Sequence, residues 1–131
     1  GDSLVHFENS NICHMGDLMF NRRHPFVDRS AGANIKNWIR ILHKTTKKFD
    51  SNTTFIFGHS AEGYNIVGNT DDLKKFADYL QAVLDFTEGE IKAGKTKEAF
   101  LKTTSFPNQG EWKGDGISRP LAAAWDELMA K

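Results

Sequence analysis

The sequence lacks the features that mark several classes of protein. It has a single cysteine, Cys13, among 131 residues, which excludes an intrachain disulfide and a cysteine-rich metal site. Its 17 basic residues balance 17 acidic ones, so net charge gives no reason to expect nucleic acid or an anionic membrane as a partner. No apolar run approaches the ~20 residues of a membrane-spanning helix. The cellular compartment stays open between cytoplasm, periplasm and the exterior.

The composition that remains is that of one globular domain. Hydrophobic residues make up 39% of the chain and charged residues 26%, so a packed core with a charged surface is expected. Apolar and polar residues alternate over 4–7, a polar turn occupies 8–11, and a second apolar run follows at 12–16. This pattern predicts a β-hairpin. Residues 18–32, which contain a proline and a glycine, are expected to form a loop.

Helix-forming patterns dominate the rest of the chain. The predicted elements are, in order, a helix at 33–49, a strand at 53–57, a loop at 60–69, a long helix from Asn69 to Gly94, a short helix within 95–104 and a closing helix at 118–130. Asn69 and Ser118 are the predicted N-caps. The fold class is therefore α/β (α+β), with few strands and three or four amphipathic helices. Three short strands offer too little apolar area for so many helices, so the sequence looks like part of a larger domain.

Two glycine-containing pairs stand at the ends of predicted strands. Gly16 is followed by Asp17 after the second strand, and Gly58 is followed by His59 after the third. A carboxylate and an imidazole are suitable ligands for zinc, manganese or iron, and glycine lets the backbone turn sharply beside a metal. An aspartate after a strand is also a common turn or helix cap, and a lone histidine is also a common structural residue. Spacing alone leaves both interpretations open.

A family resemblance covers essentially the whole chain and is carried by two stretches, GDSLVHFENSNICHMGDLMFNRRHPFVD and TTFIFGHS. Together they resemble the second half of the metallo-β-lactamase-fold hydrolases. In that superfamily the Asp of a strand-terminal GD bridges two metal ions, and the His of a later PGH binds the second metal. The resemblance places Asp17 and His59 at these positions. Phe57 and Ser60 depart from the usual residues on either side of the GH pair.

The tail EWKGDGISRPLAAAWDEL is similar to the C-terminus of a cyclase-like or SoxH-like branch of the superfamily. Family members form an αββα sandwich from two βα halves, and their principal metal motif, H-x-H-x-D-H, lies in the first half. This sequence contains no such motif. Residues 1–131 are therefore expected to be the C-terminal half of a metallo-β-lactamase-like domain, with the N-terminal half absent from this chain.

The resemblance implies a metal-dependent hydrolase that acts on a small-molecule substrate. The implied cofactor is zinc, with two ions in the complete site and iron or manganese as alternatives. Asp17 would bridge the metals and orient the attacking water, and His59 would complete the second site. A mononuclear site usually needs three protein ligands. We therefore expect this chain alone to bind zinc weakly and to hydrolyse nothing at a useful rate.

The alternative is a non-catalytic half-domain that acts as an assembly or interaction module. In either case the expected partner is the missing N-terminal half or a second copy of the chain, and neither nucleic acid nor a membrane is expected. Four further residues are candidates for supporting roles. Arg22, Arg23 and His24 either line the mouth of the site, where arginine pairs with a substrate carboxylate, or belong to a solvated loop. His14 is expected to be structural, with a role behind a metal ligand as the alternative.

Overall fold

The computed structural model describes residues 3–112 and 115–130, and these form a mixed α/β fold, which confirms the predicted fold class. The strands are β1 (Val5–Phe7), β2 (Ile12–Asn21), β3 (Thr54–Ser60) and β4 (Val67–Gly68). The helices are α1 (Ile35–Lys48), α2 (Thr70–Lys92), α3 (Lys97–Phe100) and α4 (Ser118–Met129), and a 3₁₀ turn spans Arg29–Ala31. None of the helices in this part of the chain combines the length and hydrophobicity needed to traverse a bilayer.

The described strands form one sheet in the order β1-β2-β3-β4. β1 and β2 are antiparallel, with Val5 opposite His14 and Phe7 opposite Ile12, so the predicted hairpin is confirmed. β2 and β3 are parallel and are joined by a crossover through α1, while β4 pairs antiparallel with β3. Because β2 and β3 are parallel, their carboxyl ends meet at one edge of the sheet. That edge is where ligands bind in open α/β sheets.

Two segments that the sequence predicts as loops contain strand. β2 continues beyond Asp17 to Asn21, and β4 forms within residues 60–69. Both loop predictions are wrong at these residues. Met19 and Phe20 are buried in the core, so packing against the helices keeps this part of the chain extended. As a result, Asp17 lies within a strand and not at its end.

The core lies on one face of the sheet. Cys13, Met15, Phe55 and Phe57 point inward along the parallel pair and are buried. The core is completed by buried apolar residues of the helices, which include Trp38, Leu42, Leu73, Phe76, Leu80 and Leu121. Burial raises the pKa of the Cys13 thiol against the opposite effect of the Lys48 charge. The thiol is therefore an inert part of the core.

The opposite face of the sheet is mostly apolar and open to solvent. The register of the strands places Val5, Phe7, Ile12, Ile56 and Val67 together on this face. Phe7 is 55% exposed and Val67 is 48% exposed. We call these five residues the outer sheet face. His14 and Thr54 lie among them, and a mostly apolar exposed face of this kind is a common sign of an interaction site.

Capping shows how two of the helices begin. Asn69 caps α2, because its side chain accepts a hydrogen bond from the amide of Asp71 at 3.0 Å and Asp72 accepts one from the amide of Asn69 at 3.1 Å. This cap was predicted from the sequence and is confirmed. Ser118 is the first residue of α4, whose N-cap is Ile117 with no side-chain hydrogen bond. The predicted Ser118 cap is therefore wrong.

The closing helix α4 also caps α1. The Glu127 carboxylate accepts hydrogen bonds from the backbone amides of Ile35 at 2.5 Å and Lys36 at 3.1 Å. Amides in the first turn of a helix have no partner within that helix, and a carboxylate is stabilised by the positive end of the helix dipole. Glu127 thereby fixes the start of α1 against α4.

Candidate functional site

β2 and β3 approach closely where the two glycine-containing pairs lie. A Cβ atom on Gly58 would collide with the carbonyl group of Gly16. Gly16 itself has a φ of +54°, in a region that residues with a Cβ atom rarely adopt. Gly58 is thus required for space and Gly16 for backbone conformation. The two glycines let the strands meet just before each delivers a polar side chain.

A bulge in β2 lies beside this contact. β2 carries three residues opposite Gly58 alone: Asp17, Leu18 and Met19. Such irregularities re-aim side chains, and here the Asp17 carboxylate meets the imidazole of His59 on β3. Oδ1 of Asp17 lies 2.8 Å from Nε2 of His59, which donates the hydrogen bond when its proton is on Nε2. The structure therefore brings together the two residues that the sequence singles out.

Aromatic packing holds the His59 ring in place. The ring stacks on Phe20, with centroids 4.2 Å apart and planes 9° from parallel. Trp38 of α1 meets Phe20 edge-on at 6.0 Å, and its Nε1 donates a hydrogen bond to the carbonyl oxygen of Leu18 at 2.9 Å. Helix α1 thus supports the bulge and the imidazole together, so the orientation of His59 is set by packing.

Asp17 and His59 line an open pocket of about 750 Å³. The side chain of Asp17 is 66% exposed and that of His59 is 32% exposed, so solutes can reach both. Three aromatic and two arginine side chains also line the pocket: Phe20, Phe26, Trp38, Arg23 and Arg119. The volume falls within the range of small-molecule sites, about 300–1,000 Å³.

Among the predicted supporting residues, Arg23 lines this pocket and its neighbours do not. Arg22 is 5% exposed and His24 is 1% exposed, so the solvated-loop interpretation is wrong for both. His14 is exposed, and its Nδ1 accepts a hydrogen bond from the amide of Gly16 at 3.1 Å. That bond supports the backbone of the glycine before Asp17, which fits a structural role.

Arg22 is a buried side chain at the centre of an ion-pair network. It contacts Asp72 at 2.9 Å and Glu111 at 3.0 Å, and its guanidinium lies over the rings of Tyr64 and Trp112. Burial alone would lower the pKa of Arg22, but the hydrogen bonds and charges of the two carboxylates outweigh burial and raise it. Arg22 therefore joins the end of β2 to α2 and to the segment before α4.

His24 is also an interior residue. Its Nδ1 lies 2.6 Å from the hydroxyl oxygen of Tyr79, and its Nε2 has no hydrogen-bond partner within the described ranges. Burial lowers the pKa of His24, and the charge of Arg119 lowers it further. Burial also raises the pKa of Tyr79. His24 is therefore a neutral imidazole that packs against α2.

The Asp17–His59 pair fits part of a metal site. Neighbouring ligand atoms in a tetrahedral zinc site lie about 3.3 Å apart, given bond lengths near 2.0–2.2 Å, and the observed separation is 2.8 Å. Carboxylate oxygen and imidazole nitrogen are both suitable donors. Across residues 3–112 and 115–130, however, no group of three or more His, Cys, Asp or Glu side chains could hold a metal ion. The pair provides two ligand positions, and a complete site needs donors from elsewhere.

Sequence reasoning does not single out Arg119, which the structure places at the pocket. Its Nη2 donates a hydrogen bond to the carbonyl oxygen of His24 at 3.2 Å, in the segment that follows β2. Arg119 lies in the first turn of α4, far along the chain from Asp17 and His59. No local pattern marks it, because only the packing of α4 brings it to the pocket.

No protein-family model matches this chain, and a search of curated proteins found no match. Membership of the metallo-β-lactamase superfamily therefore stays a proposal. The part of the molecule that bears on function is the pocket, which is lined by the Asp17–His59 pair and by Arg23 and Arg119.

Proposed function

We propose that this chain forms part of the active site of a metal-dependent hydrolase of the metallo-β-lactamase superfamily. The observation that supports it is the 2.8 Å contact between Asp17 and His59 at the wall of an open pocket. The sequence resemblance assigns the same two residues to the metal. A carboxylate and an imidazole on adjacent parallel strands, each preceded by a glycine, make a rigid pair of ligands.

Zinc is the proposed metal, with two ions in the complete site, and iron or manganese would accept the same donors. Zinc lowers the pKa of a bound water to about 7, which supplies a hydroxide nucleophile near neutral pH. Asp17 carries a second carboxylate oxygen that can accept a hydrogen bond from that water and orient it. His59 is already fixed by its stacking on Phe20, so its ring need not reorganise when a ligand binds.

The remaining metal ligands are proposed to come from a second polypeptide segment, the N-terminal half that the resemblance implies. With two donors of its own, this chain is expected to bind zinc weakly when alone. It is expected to hydrolyse small-molecule substrates at no useful rate until the other donors are supplied. The open pocket beside Asp17 and His59 is the proposed substrate site.

Zinc affinity, measured by competition with a chromophoric chelator, tests this proposal. The wild-type chain is compared with Asp17→Asn and His59→Gln, which preserve polarity and remove one donor each. Each substitution is expected to weaken zinc binding about tenfold or more, because the bound ion loses one of its two protein ligands. Wild-type zinc affinity in both variants would contradict the assignment.

Matched controls are available on the helices. Asp85→Asn and His43→Gln change an exposed aspartate and an exposed histidine outside the pocket, and both variants are expected to keep the wild-type zinc affinity. Elemental analysis of the purified chain identifies the metal that the pair prefers. Iron in place of zinc would direct the proposal from hydrolysis towards redox chemistry.

A second candidate function is a non-catalytic assembly or interaction module, and the outer sheet face supports it. Phe7 and Ile12 form one apolar cross-strand pair on this face, and Ile56 and Val67 form another, and such pairs are a natural surface for a second sheet. The proposed occupant is the N-terminal half. Where that half is absent, a second copy of this chain is the proposed substitute.

Sedimentation velocity across a concentration series tests this candidate. The wild-type chain is expected to self-associate with a dissociation constant of about 100 µM, which is weaker than that of a tight interface. The double variant Phe7→Ser with Val67→Thr is expected to abolish it by removing exposed apolar area. Met129→Ser, which changes another exposed apolar side chain away from the sheet, is the control and should associate like the wild type. A strictly monomeric wild-type chain would argue against the second-copy form.

A further inference from the structure

The pocket beside Asp17 and His59 contains two arginines from distant parts of the chain. Arg23 comes from the segment after β2, and Arg119 from the first turn of α4. Both side chains are exposed, and both line the same cavity of about 750 Å³. Two guanidinium groups on one cavity wall attract an anionic ligand more strongly than either group does alone.

The two carboxylates that line the pocket, Asp17 and Asp28, form hydrogen bonds with other groups and no ion pair with these arginines. Asp28 accepts hydrogen bonds from the Ser30 hydroxyl and the Ala31 amide, and these bonds lower the pKa of Asp28. Asp17 is bonded to His59. Within the described ranges, neither Arg23 nor Arg119 lies at ion-pair distance from a carboxylate. Both guanidinium groups therefore have N–H donors available for a ligand.

Arg119 is held in position before any ligand arrives. Its Nη2 donates to the carbonyl oxygen of His24 at 3.2 Å. Its guanidinium also rests against Gly116, where a Cβ atom would lie 2.9 Å from both Nε and Nη2. A residue with a side chain at this position would displace the group. A guanidinium that is already oriented loses less conformational entropy when it binds a planar anion.

Three aromatic side chains also line the pocket. Phe26 is 57% exposed, and Phe20 and Trp38 complete an apolar side of the same pocket. A single exposed aromatic residue needs no explanation, but aromatic rings next to two unpaired guanidinium groups form a combined apolar and cationic site. Such a site matches a ligand that has an apolar body and one planar anionic end.

We propose that Arg23 and Arg119 bind the carboxylate of a small organic anion whose apolar body lies on Phe20, Phe26 and Trp38. The carboxylate is held by the two guanidinium groups, and the body extends along the aromatic wall towards Asp17 and His59. The claim that this anion is a substrate rests on the proposed hydrolase function. The claim that the pocket binds the anion is independent of that function.

Isothermal titration calorimetry with 4-phenylbutyrate and its uncharged amide tests the proposal. The wild-type chain is expected to bind the carboxylate with a Kd below about 10 mM, and at least tenfold more tightly than the amide. Arg23→Gln and Arg119→Gln are each expected to weaken phenylbutyrate binding about tenfold while leaving the weak amide binding unchanged. Arg40→Gln removes an exposed arginine of α1 outside the pocket and should bind like the wild type.

Three results would overturn the proposal: equal affinity for acid and amide, wild-type affinity in both pocket variants, or no saturable phenylbutyrate binding. Circular dichroism confirms that each variant is folded, and Arg119→Lys, which keeps the charge, is expected to recover part of the affinity. Zinc titration separates the two hypotheses. Asp17→Asn should weaken zinc binding and leave phenylbutyrate binding unchanged, whereas the Arg23→Gln, Arg119→Gln double variant should keep the wild-type zinc affinity and weaken phenylbutyrate binding.

Discussion

Arg22 and Arg23 are adjacent in the chain and belong to two different regions of the molecule. Arg22 lies in an interior cluster with Asp72, Glu111 and Trp112, where its charge has carboxylate partners and an aromatic surface. Arg23 lies at the pocket, where no described carboxylate pairs with it. The first region is chemically complete and holds elements together. The pocket region has guanidinium N–H donors without a carboxylate partner, and a binding site for an anion requires such donors.

A substitution at the close contact between Gly58 and Gly16 is expected to have the largest effect on stability. Gly58→Ala would place a Cβ atom against the carbonyl group of Gly16, and rigid backbone cannot yield as a flexible side chain can. We expect a loss of about 3 kcal/mol in the free energy of unfolding, measured by urea denaturation. Gly89→Ala is the control, since nothing lies within 4 Å of the added atom, and it should stabilise α2 by about 0.5–1 kcal/mol. Equal stability of Gly58→Ala and wild type would show that the strands can separate freely.

Substituting the two neighbouring arginines tests the comparison directly. Arg22→Met leaves Asp72 and Glu111 without their partner, and we expect it to cost about 2–3 kcal/mol. The value is at the low end for a buried pair, because the Glu111 side chain is 59% exposed and water can solvate it. Arg23→Met is expected to change stability by less than about 0.5 kcal/mol. Similar losses in the two variants, measured by urea denaturation, would remove the distinction between the regions.

A pH series probes the interior near these arginines. The pKa of His24 is lowered in the folded protein, mainly by burial, so below about pH 6.5 the unfolded chain binds a proton that the native state resists. The stabilisation is therefore fully present above about pH 6.5 and is lost as pH falls through the lower native pKa. We expect His24→Gln to reduce the decline in Tm between about pH 7 and pH 5, and His43→Gln, at an exposed site, to leave it unchanged. An identical decline in both variants would exclude His24 as its source.

Substitutions at the N-termini of α2 and α4 are expected to have the smallest effects on stability. Asn69 caps α2 beside the interior cluster, and Asn69→Ala is expected to cost about 1 kcal/mol. Ser118 begins α4 beside the pocket without forming a cap, so Ser118→Ala is expected to stay within about 0.3 kcal/mol of wild type. Thermal unfolding of both variants in one buffer measures the difference. A larger loss from Ser118→Ala than from Asn69→Ala would reverse this interpretation.

The elements that could be predicted are those set by local patterns. Helices α1 and α2 could be predicted from the spacing of their apolar residues, because a helix buries one face at a fixed period. The cap at Asn69 could be predicted because it depends on residues next to it in the sequence. The continuation of β2 is different. Met19 and Phe20 remain in a strand because helices from later in the chain bury them, and their own neighbours in sequence suggest a loop.

The candidate site shows the same division. Asp17 and His59 could be identified singly, but their contact depends on the bulge in β2 and on the absence of side chains at Gly16 and Gly58. The polar stretch at Arg22 gives no sign that two of its three residues are buried. Their burial comes from partners on α2 and in the segment before α4, which no short-range pattern connects to β2.

The carboxylate of Glu127 makes the start of α1 depend on the docking of α4. Because Glu127 accepts hydrogen bonds from the amides of Ile35 and Lys36, those two amides are shielded only when the last helix is docked. Their hydrogen-exchange rates therefore report the docking of α4, although they lie in the first third of the chain. The start of α1 is therefore completed only when α4 docks, and the pocket wall that α1 provides depends on the same contact.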